Sequence, residues 1–174
     1  MLLDLSISEL AAKYRSGEVS PVEVVGECLE NISKLNPKLN IFISLRDKQE
    51  LLDQAKKIKF NNLLSGIPYV LKDAYMTAGL RTTAASKVLA DYVPNYTATV
   101  VEKLNQAGAI LLGKTNMDAW GHGASSENTD FGPVKNPWDT SRVAGGSSGG
   151  AAAAVATRIA MFAIGEDTGG SIRN

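Results

Sequence analysis

The chain has 174 residues, enough for one domain with a buried core. Its 18 lysine and arginine residues balance 18 aspartate and glutamate residues, which excludes binding of nucleic acid or an anionic membrane through one dominant charge. A single cysteine and a single histidine exclude a disulfide framework and argue against a Cys/His zinc site. The start of the sequence has no basic segment before an apolar run, so we expect a cytoplasmic protein without a membrane span.

The first third of the sequence predicts helices. Two segments with the spacing of a capping box, Ser6–Glu9 and Ser20–Glu23, predict where two helices begin. The pair Asn36-Pro37 predicts the end of the second helix. A strand is predicted over residues 41–45, and a charged surface helix over residues 47–59.

From residue 66 onward, short apolar runs alternate with helical patterns, which predicts an α/β sheet covered by helices. The predicted strands are 67–71, 109–113 and 160–164, and the predicted helices are 97–106 and 151–157. The irregular stretch 114–150 is long for a compact domain, and this length indicates either a functional role or a flexible segment.

Two glycine-rich segments hold residues that can do chemistry. Gly145–Gly150 is interpreted either as a flexible linker or as a loop that presents N–H groups to a ligand such as phosphate, although the lysine of a P-loop is missing. Asp167–Ser171 follows the last predicted strand and exposes a serine on a turn. The N–H groups of Thr168, Gly169 and Gly170 can converge there on an oxyanion, and an ordinary glycine-rich turn is the alternative.

A serine nucleophile needs a base, and the sequence offers two candidates. His122 stands among small residues in the irregular stretch, which favours a loop or packing role. Lys72 directly follows the strand predicted over 67–71, where burial would favour a neutral amine that accepts a proton. From the local sequence alone, a solvated Lys72 that pairs with Asp73 and stays charged is the favoured interpretation.

Three segments taken together resemble the amidase signature family of serine hydrolases. They are Gly66–Asp73, Gly145–Gly150 and Gly165–Arg173, and the spacing between them is similar to that of the family. The resemblance covers nearly the whole chain. It implies an α/β fold in which helices cover a mixed sheet, incomplete at the C-terminus of this chain.

The resemblance implies a Ser-Ser-Lys triad without histidine. Ser171 would be the nucleophile, Ser147 the bridging serine and Lys72 the base at the end of the proton relay. Gly146 would precede the bridging serine through a cis peptide bond. The oxyanion would be held by the N–H groups of the turn that carries the nucleophile.

Further residues near the two glycine-rich segments would support this site. Ser148 would form a hydrogen bond within its loop, or serve structure alone. Asp167 and Arg173 flank the turn that carries the nucleophile and would brace it, and contact of Arg173 with substrate is a second option. The stretch 123–126 would line the acyl pocket.

Within the family, Gly113–Asp118 and Phe131–Asp139 are most similar to the glutamine-hydrolysing A subunits of tRNA-dependent amidotransferases. This similarity implies release of ammonia from glutamine for the amidation of Glu-tRNA(Gln) or Asp-tRNA(Asn). The implied partners are the amidotransferase B and C subunits, through which tRNA would be contacted. No metal or cofactor is implied for this chain, since ATP and magnesium serve the partner subunit.

Two alternatives to this function remain open. One is a stand-alone amidase that acts on another small amide, because the triad recognises only the amide group. The other is a non-catalytic truncated fragment or binding module that holds anions through the loop 145–150.

The family resemblance also predicts how the chain is organised. Members of the family run to several hundred residues, so we expect residues 1–174 to be the N-terminal portion of a single amidase signature domain. Residues 1–65 would be a mainly helical lead-in, and residues 66–174 the start of the catalytic core. For the isolated chain we expect weak stability and little turnover.

Overall fold

Four strands form one mixed sheet in the computed structural model, which describes residues 1–174. The strands are β1 (Phe42–Leu45), β2 (Pro68–Lys72), β3 (Ile110–Thr115) and β4 (Phe162–Ile164). Their order across the sheet is β1-β3-β2-β4. β1 runs antiparallel to β3, whereas β2 runs parallel to both β3 and β4. The α/β class with a mixed sheet is therefore confirmed.

Five α-helices accompany the sheet. They are α1 (Ile7–Ser16), α2 (Pro21–Leu39), α3 (Lys48–Lys56), α4 (Thr99–Gln106) and α5 (Gly149–Ala156). The first two helices begin at the predicted capping boxes, where the Ser6 and Ser20 side chains accept N–H groups of the first turn. None of the helices combines the length and the apolar character that a membrane span requires.

The end of α2 differs from the prediction. The helix does not stop at Asn36-Pro37 but continues to Leu39. Pro37 lacks the N–H that would donate to the preceding turn, but the helix still closes after it, since the Asn40 N–H donates to the Asn36 carbonyl oxygen at 2.9 Å. Asn40 then ends the helix in the left-handed conformation. The Asn36 side chain accepts the N–H groups of the next two residues after Asn40, at 2.8 and 3.0 Å, which leads the chain directly into β1.

Helices cover both faces of the sheet, so β2 is buried along its whole length. Val70 belongs to the larger apolar cluster, to which α1, α2 and α5 contribute. Tyr69 and Leu71 belong to a smaller cluster with α4. Because successive side chains of a strand point to opposite faces, Lys72 points to the same side as Val70, where α5 packs.

The helical lead-in and the later part of the chain share this sheet. β1 comes from residues 1–65 and pairs with β3 from residues 66–174. The larger apolar cluster also combines side chains from both parts of the chain. The lead-in is thus integrated into the same hydrophobic core as the strands that carry the candidate catalytic residues.

Glycine is required where α5 approaches the sheet. A Cβ atom at Gly150 would lie 2.4 Å from the carbonyl oxygen of Asn116 and 2.8 Å from that of Ile41, and both oxygens belong to the backbone. Gly26 in the middle of α2 is the opposite case, because nothing lies within 4 Å of the corresponding position. The same substitution therefore meets a filled space at one helical glycine and an open one at the other.

We predict opposite stability changes for alanine at these two positions. Gly26→Ala should raise the free energy of unfolding by about 0.5–1 kcal/mol, because alanine is the better helix former. Gly150→Ala should lower it by about 1–3 kcal/mol, because the backbone must move to admit the methyl group. Urea unfolding followed by circular dichroism measures both changes. Equal effects at the two positions would contradict the close approach of α5.

Candidate active site

Lys72, Ser147 and Ser171 form one continuous chain of hydrogen-bonded side chains. The Lys72 Nζ atom lies 2.6 Å from Ser147 Oγ, and Ser147 Oγ lies 2.8 Å from Ser171 Oγ. Lys72 and Ser147 are fully buried, and Ser171 keeps 9% of its surface exposed. The structure thus brings together the three residues predicted as a triad, with only the predicted nucleophile reaching solvent.

Strand pairing explains why these residues meet. Lys72 is the last residue of β2, and β4 lies parallel beside β2. Because the carboxyl ends of parallel strands share one edge of the sheet, the turn after β4 places Ser171 near the lysine. Ser147 lies just before α5, on the face of the sheet to which the lysine points. A cis peptide bond joins it to Gly146.

Asp118 and Ser126 contact the loop before α5 and hold it in place. A Cβ atom at Gly146 would lie 2.3 Å from Asp118 Oδ2, so only glycine fits there. Ser126 donates its hydroxyl to the Gly145 carbonyl oxygen at 2.8 Å and accepts the Gly149 N–H at 3.0 Å. Ser126 is fully buried against this loop. This residue of the predicted acyl-pocket stretch therefore supports the loop from beneath.

Asp167 organises the turn that carries Ser171. Its carboxylate accepts the backbone N–H groups of Gly170 at 2.8 Å and Ile172 at 3.1 Å. The Arg173 guanidinium donates to the same carboxylate through two nitrogens, at 2.8 and 2.9 Å. These hydrogen bonds from Arg173 hold the pKa of Asp167 well below its usual range. The carboxylate is therefore ionised and ties both ends of the turn together.

One of the predicted oxyanion donors needs correction. The Gly170 N–H already donates to Asp167, so it does not point to the place where an oxyanion would form. The N–H groups of Thr168 and Gly169 make no hydrogen bond within the chain. The N–H group of Ser171 likewise makes no hydrogen bond within the chain.

Ser148 connects the two glycine-rich segments. Its hydroxyl donates to the Glu166 carbonyl oxygen at 3.0 Å, and its N–H donates to the Ser171 carbonyl oxygen at 3.0 Å. Both hydrogen bonds of Ser148 therefore join its loop to the segment that carries the nucleophile. They differ from the first sequence-based interpretation, which expected a hydrogen bond within the loop. Both contacts fix the distance between the loop before α5 and the turn after β4.

Glu166 contacts the triad and has no role in the sequence-based prediction. Its Oε1 atom lies 2.5 Å from Lys72 Nζ and 3.4 Å from Ser147 Oγ. Its Oε2 atom accepts the Thr168 hydroxyl at 3.1 Å. Hydrogen bonding from Lys72 lowers the pKa of Glu166, so this carboxylate is charged at neutral pH. A signal was present, since position 166 follows the strand that pairs with the strand carrying the lysine.

Asp73, the alternative partner of Lys72, faces a different lysine. Asp73 Oδ1 lies 3.2 Å from Lys114 Nζ, and both side chains are fully buried. Asp73 also accepts the N–H of Thr83 at 2.9 Å and its hydroxyl at 2.5 Å. Burial lowers the pKa of Lys114, and the attraction of Asp73 opposes this effect. The interpretation of Lys72 as a solvated residue paired with Asp73 is therefore wrong, because Lys72 is buried and its carboxylate partner is Glu166.

A cavity of about 410 Å³ lies beside the triad, and His122 forms part of its wall together with Glu166, Thr168 and Gly169. The hydrogen bonds of the two triad serines go to each other, to Lys72 and to Glu166, and not to the imidazole. This placement agrees with the loop role expected for His122. The cavity opens the carboxylate side of the site to a small polar molecule.

Comparison with known proteins identifies the class to which this fold and site belong. The model of the family described as Amidase matches residues 23–174. The chain belongs to the amidase family.

Several curated proteins are similar to this chain over nearly all of its length. The A subunit of glutamyl-tRNA(Gln) amidotransferase from Chromohalobacter salexigens is 50% identical over 98% of this chain and 36% of its own length. The protein of the same name from Sulfolobus acidocaldarius is 45% identical over 96% of this chain and 36% of its own length. The chain thus spans about 36% of the length of the curated relatives that it matches.

Solved structures show the same backbone arrangement. The crystal structure of the glutamyl-tRNA(Gln) amidotransferase A subunit from Thermotoga maritima matches with a TM-score of 0.87 and 39% identity, over 99% of this chain and 36% of that one. The 6-aminohexanoate cyclic dimer hydrolase complexed with substrate matches with a TM-score of 0.90 and 31% identity, over 98% of this chain and 36% of that one. The resemblance to the amidase signature family and its fold is confirmed.

We predict that the buried pair Lys114–Asp73 is required for stability. Lys114→Met should lower the free energy of unfolding by about 3–5 kcal/mol, because it leaves the carboxylate of Asp73 buried without its cation. Lys103→Met, at an exposed position of α4, is the matched control and should change stability by less than about 0.5 kcal/mol. Urea unfolding of both variants measures the difference. Equal stability of the two variants would contradict the role given to the pair.

Proposed function

We propose that this chain carries the catalytic triad of an amide hydrolase. Ser171 is the nucleophile, Ser147 bridges, and Lys72 is the final proton acceptor. The observation that supports this assignment most strongly is the unbroken hydrogen-bonded path of 2.6 and 2.8 Å between the three side chains. The path is buried except at Ser171, the end that an amide would reach.

The geometry supports a two-step proton relay. Ser171 Oγ attacks the carbonyl carbon of the amide while its proton passes to Ser147 Oγ. The proton of Ser147 passes in turn to the uncharged Nζ of Lys72. The tetrahedral oxyanion would be held by the free N–H groups of Thr168 and Gly169. The acyl–nitrogen bond then breaks, and the leaving nitrogen departs as ammonia or an amine with the proton returned through Ser147.

Water completes the reaction along the same path. A water molecule attacks the acyl-enzyme at the carbonyl carbon while its proton passes through Ser147 Oγ to Lys72 Nζ, and the proton returns along this path to Ser171 Oγ as the ester bond breaks. The carboxylic acid leaves, and the nucleophile regains its hydroxyl. Because the lysine gains and loses one proton in each half-reaction, it must begin each half-reaction uncharged. Asp167 and Arg173 would position the nucleophile turn without contact with the reacting atoms.

We propose further that the amide is the side chain of glutamine and that the released ammonia serves amidation of Glu-tRNA(Gln) or Asp-tRNA(Asn). Support comes from the 45–50% identity to proteins named as the A subunit of glutamyl-tRNA(Gln) amidotransferase, against 31% for the cyclic dimer hydrolase. Because the identity to the cyclic dimer hydrolase is lower, the alternative of a stand-alone amidase has less support.

The same proposal specifies partners and location. The amidotransferase B and C subunits would be the partners, and tRNA would be held through them. The balance of 18 basic and 18 acidic residues in this chain agrees with indirect tRNA contact. ATP and magnesium would act in the partner subunit, and this chain would need no metal or cofactor of its own. The complex would work in the cytoplasm.

We predict that a fluorophosphonate probe reacts covalently with Ser171. Mass spectrometry of the digested chain should find the adduct on the peptide with Ser171, and Ser171→Ala should abolish it. Lys72→Met should slow the reaction at least about 100-fold, because the relay loses its proton acceptor. Ser141→Ala and Lys87→Met change exposed residues of the same types and should react like the parent chain. Absence of an adduct in a chain that circular dichroism shows to be folded, or an adduct on another residue, would contradict the proposed triad.

A further inference from the structure

We propose that Glu166 is a positioning residue that holds Lys72 as an ammonium ion in the resting site, so that the proton relay can begin only after this charge is lost to solvent. The proposal rests on the proposed function, since the charge of Lys72 matters to the reaction only if the lysine accepts a proton. It adds a fourth side chain to the site and assigns it a specific effect, which is to set the pH at which the site becomes competent.

The first argument is the placement of the two charged atoms. The Lys72 Nζ atom is fully buried and has one carboxylate within reach, at 2.5 Å. A buried amine without a charged partner would favour its neutral form, because desolvation destabilises the ammonium ion. A carboxylate at hydrogen-bonding distance has the opposite effect and stabilises the ammonium ion. Glu166 therefore opposes the effect of burial on which the proposed relay depends.

The second argument is the direction of the hydrogen bonds. In its ammonium form, Lys72 donates to Glu166 Oε1 at 2.5 Å and to Ser147 Oγ at 2.6 Å. Ser147 can then only accept from the lysine, so its own proton is directed to Ser171 Oγ or to Glu166 Oε1. The relay needs the reverse direction, with Ser147 donating to Nζ. An ammonium nitrogen has no lone pair, so Lys72 in this form cannot be the final acceptor of the relay.

No other charged group at the site forms an ion pair with Lys72. The groups that face it or its neighbours from the surrounding elements are Tyr75, His122, Asp73 with Lys114, Asp118, and Asp167 with Arg173. Asp73 and Asp167 are each paired with their own cation. Asp118 accepts backbone N–H groups of Ser125, Ser126 and Asn128. Glu166 is thus the one carboxylate that stabilises a positive charge on Lys72.

Glu166 is also the member of this group that solvent can reach. Its side chain is 30% exposed, whereas that of Lys72 is completely covered. It lines the cavity of about 410 Å³ beside the triad, where its Oε2 atom is held by the Thr168 hydroxyl. The carboxylate of Glu166 therefore lies between the buried amine of Lys72 and the cavity.

The sign of the expected pH effect follows from these contacts. The carboxylate of Glu166 stabilises the charged form of the Lys72 amine, so its removal should favour the uncharged form. At a fixed neutral pH, a larger fraction of the variant molecules then holds an uncharged amine. A shift of one pH unit corresponds to about a tenfold change in that fraction while the ammonium form still predominates.

The experiment measures the protonation of Lys72 directly, without activity. Lysine labelled with carbon-13 at Cε gives an NMR signal that reports the charge of Nζ, and Lys72→Arg identifies the signal of residue 72. The full 174-residue chain, Glu166→Gln and Glu166→Ala are titrated over the pH range in which each stays folded by circular dichroism. Glu127→Gln, which removes the same charge at an exposed position, is the matched control.

We predict that both substitutions of Glu166 lower the titration midpoint of Lys72 by at least about one pH unit. The Glu127→Gln chain should titrate like the parent chain. The isosteric glutamine tests the charge and the smaller alanine tests the contact, so a shift in the same direction for both supports the proposal. An unchanged midpoint, or the same shift in the Glu127→Gln control, would overturn it.

Fluorophosphonate labelling of the same four chains separates this proposal from the proposed function. If Glu166 holds the charge and the triad is catalytic, the pH at which labelling of Ser171 becomes fast should fall with the NMR midpoint. A shifted NMR midpoint without labelling at any pH would contradict the catalytic triad and leave the role of Glu166 supported. Labelling with the same pH dependence in the parent and both Glu166 variants would overturn the role of Glu166 alone.

Discussion

The hydrogen bond between the Lys72 amine and the Ser147 hydroxyl is the interaction on which the rest of the site depends. It joins the last residue of a fully buried strand to a loop that precedes α5, and the atoms meet only because that helix packs closely on the sheet. Glycine at positions 146 and 150 permits this approach, since a side chain would meet Asp118 in the first case and backbone oxygens in the second. Backbone packing thus determines the chemistry of the site.

Two lysines at the ends of neighbouring parallel strands face two different electrostatic environments. Lys114 and Asp73 are both completely buried, and their charges stay together as a structural pair. Lys72 is equally buried, but its partner Glu166 borders a cavity and is partly exposed. Asp73, the neighbour of Lys72 in the sequence, is paired with Lys114. The carboxylate that contacts Lys72 is therefore that of Glu166. The first ion pair is enclosed in the protein, whereas the second borders a cavity.

Much of this arrangement could be predicted from the sequence, because the signals are local. Capping boxes mark where α1 and α2 begin, and a lysine directly after an apolar run marks the end of a buried strand. Contacts between distant segments could not be predicted in this way. The neighbouring aspartate at position 73 was the obvious partner for Lys72, yet strand pairing gives it Lys114 and brings Glu166 to Lys72. The sequence likewise could not show that the Gly170 N–H donates to the carboxylate of Asp167 and is not available to an oxyanion.

The central claim is that Lys72 and Ser147 act as one unit in the activation of Ser171. A double-mutant cycle on the rate of fluorophosphonate reaction tests it most directly, with Lys72→Met, Ser147→Ala and the combined variant. The account predicts that the combined variant is about as slow as the slower single variant, because either change interrupts the same relay. Rate losses that multiply in the combined variant would show independent effects and would contradict the relay.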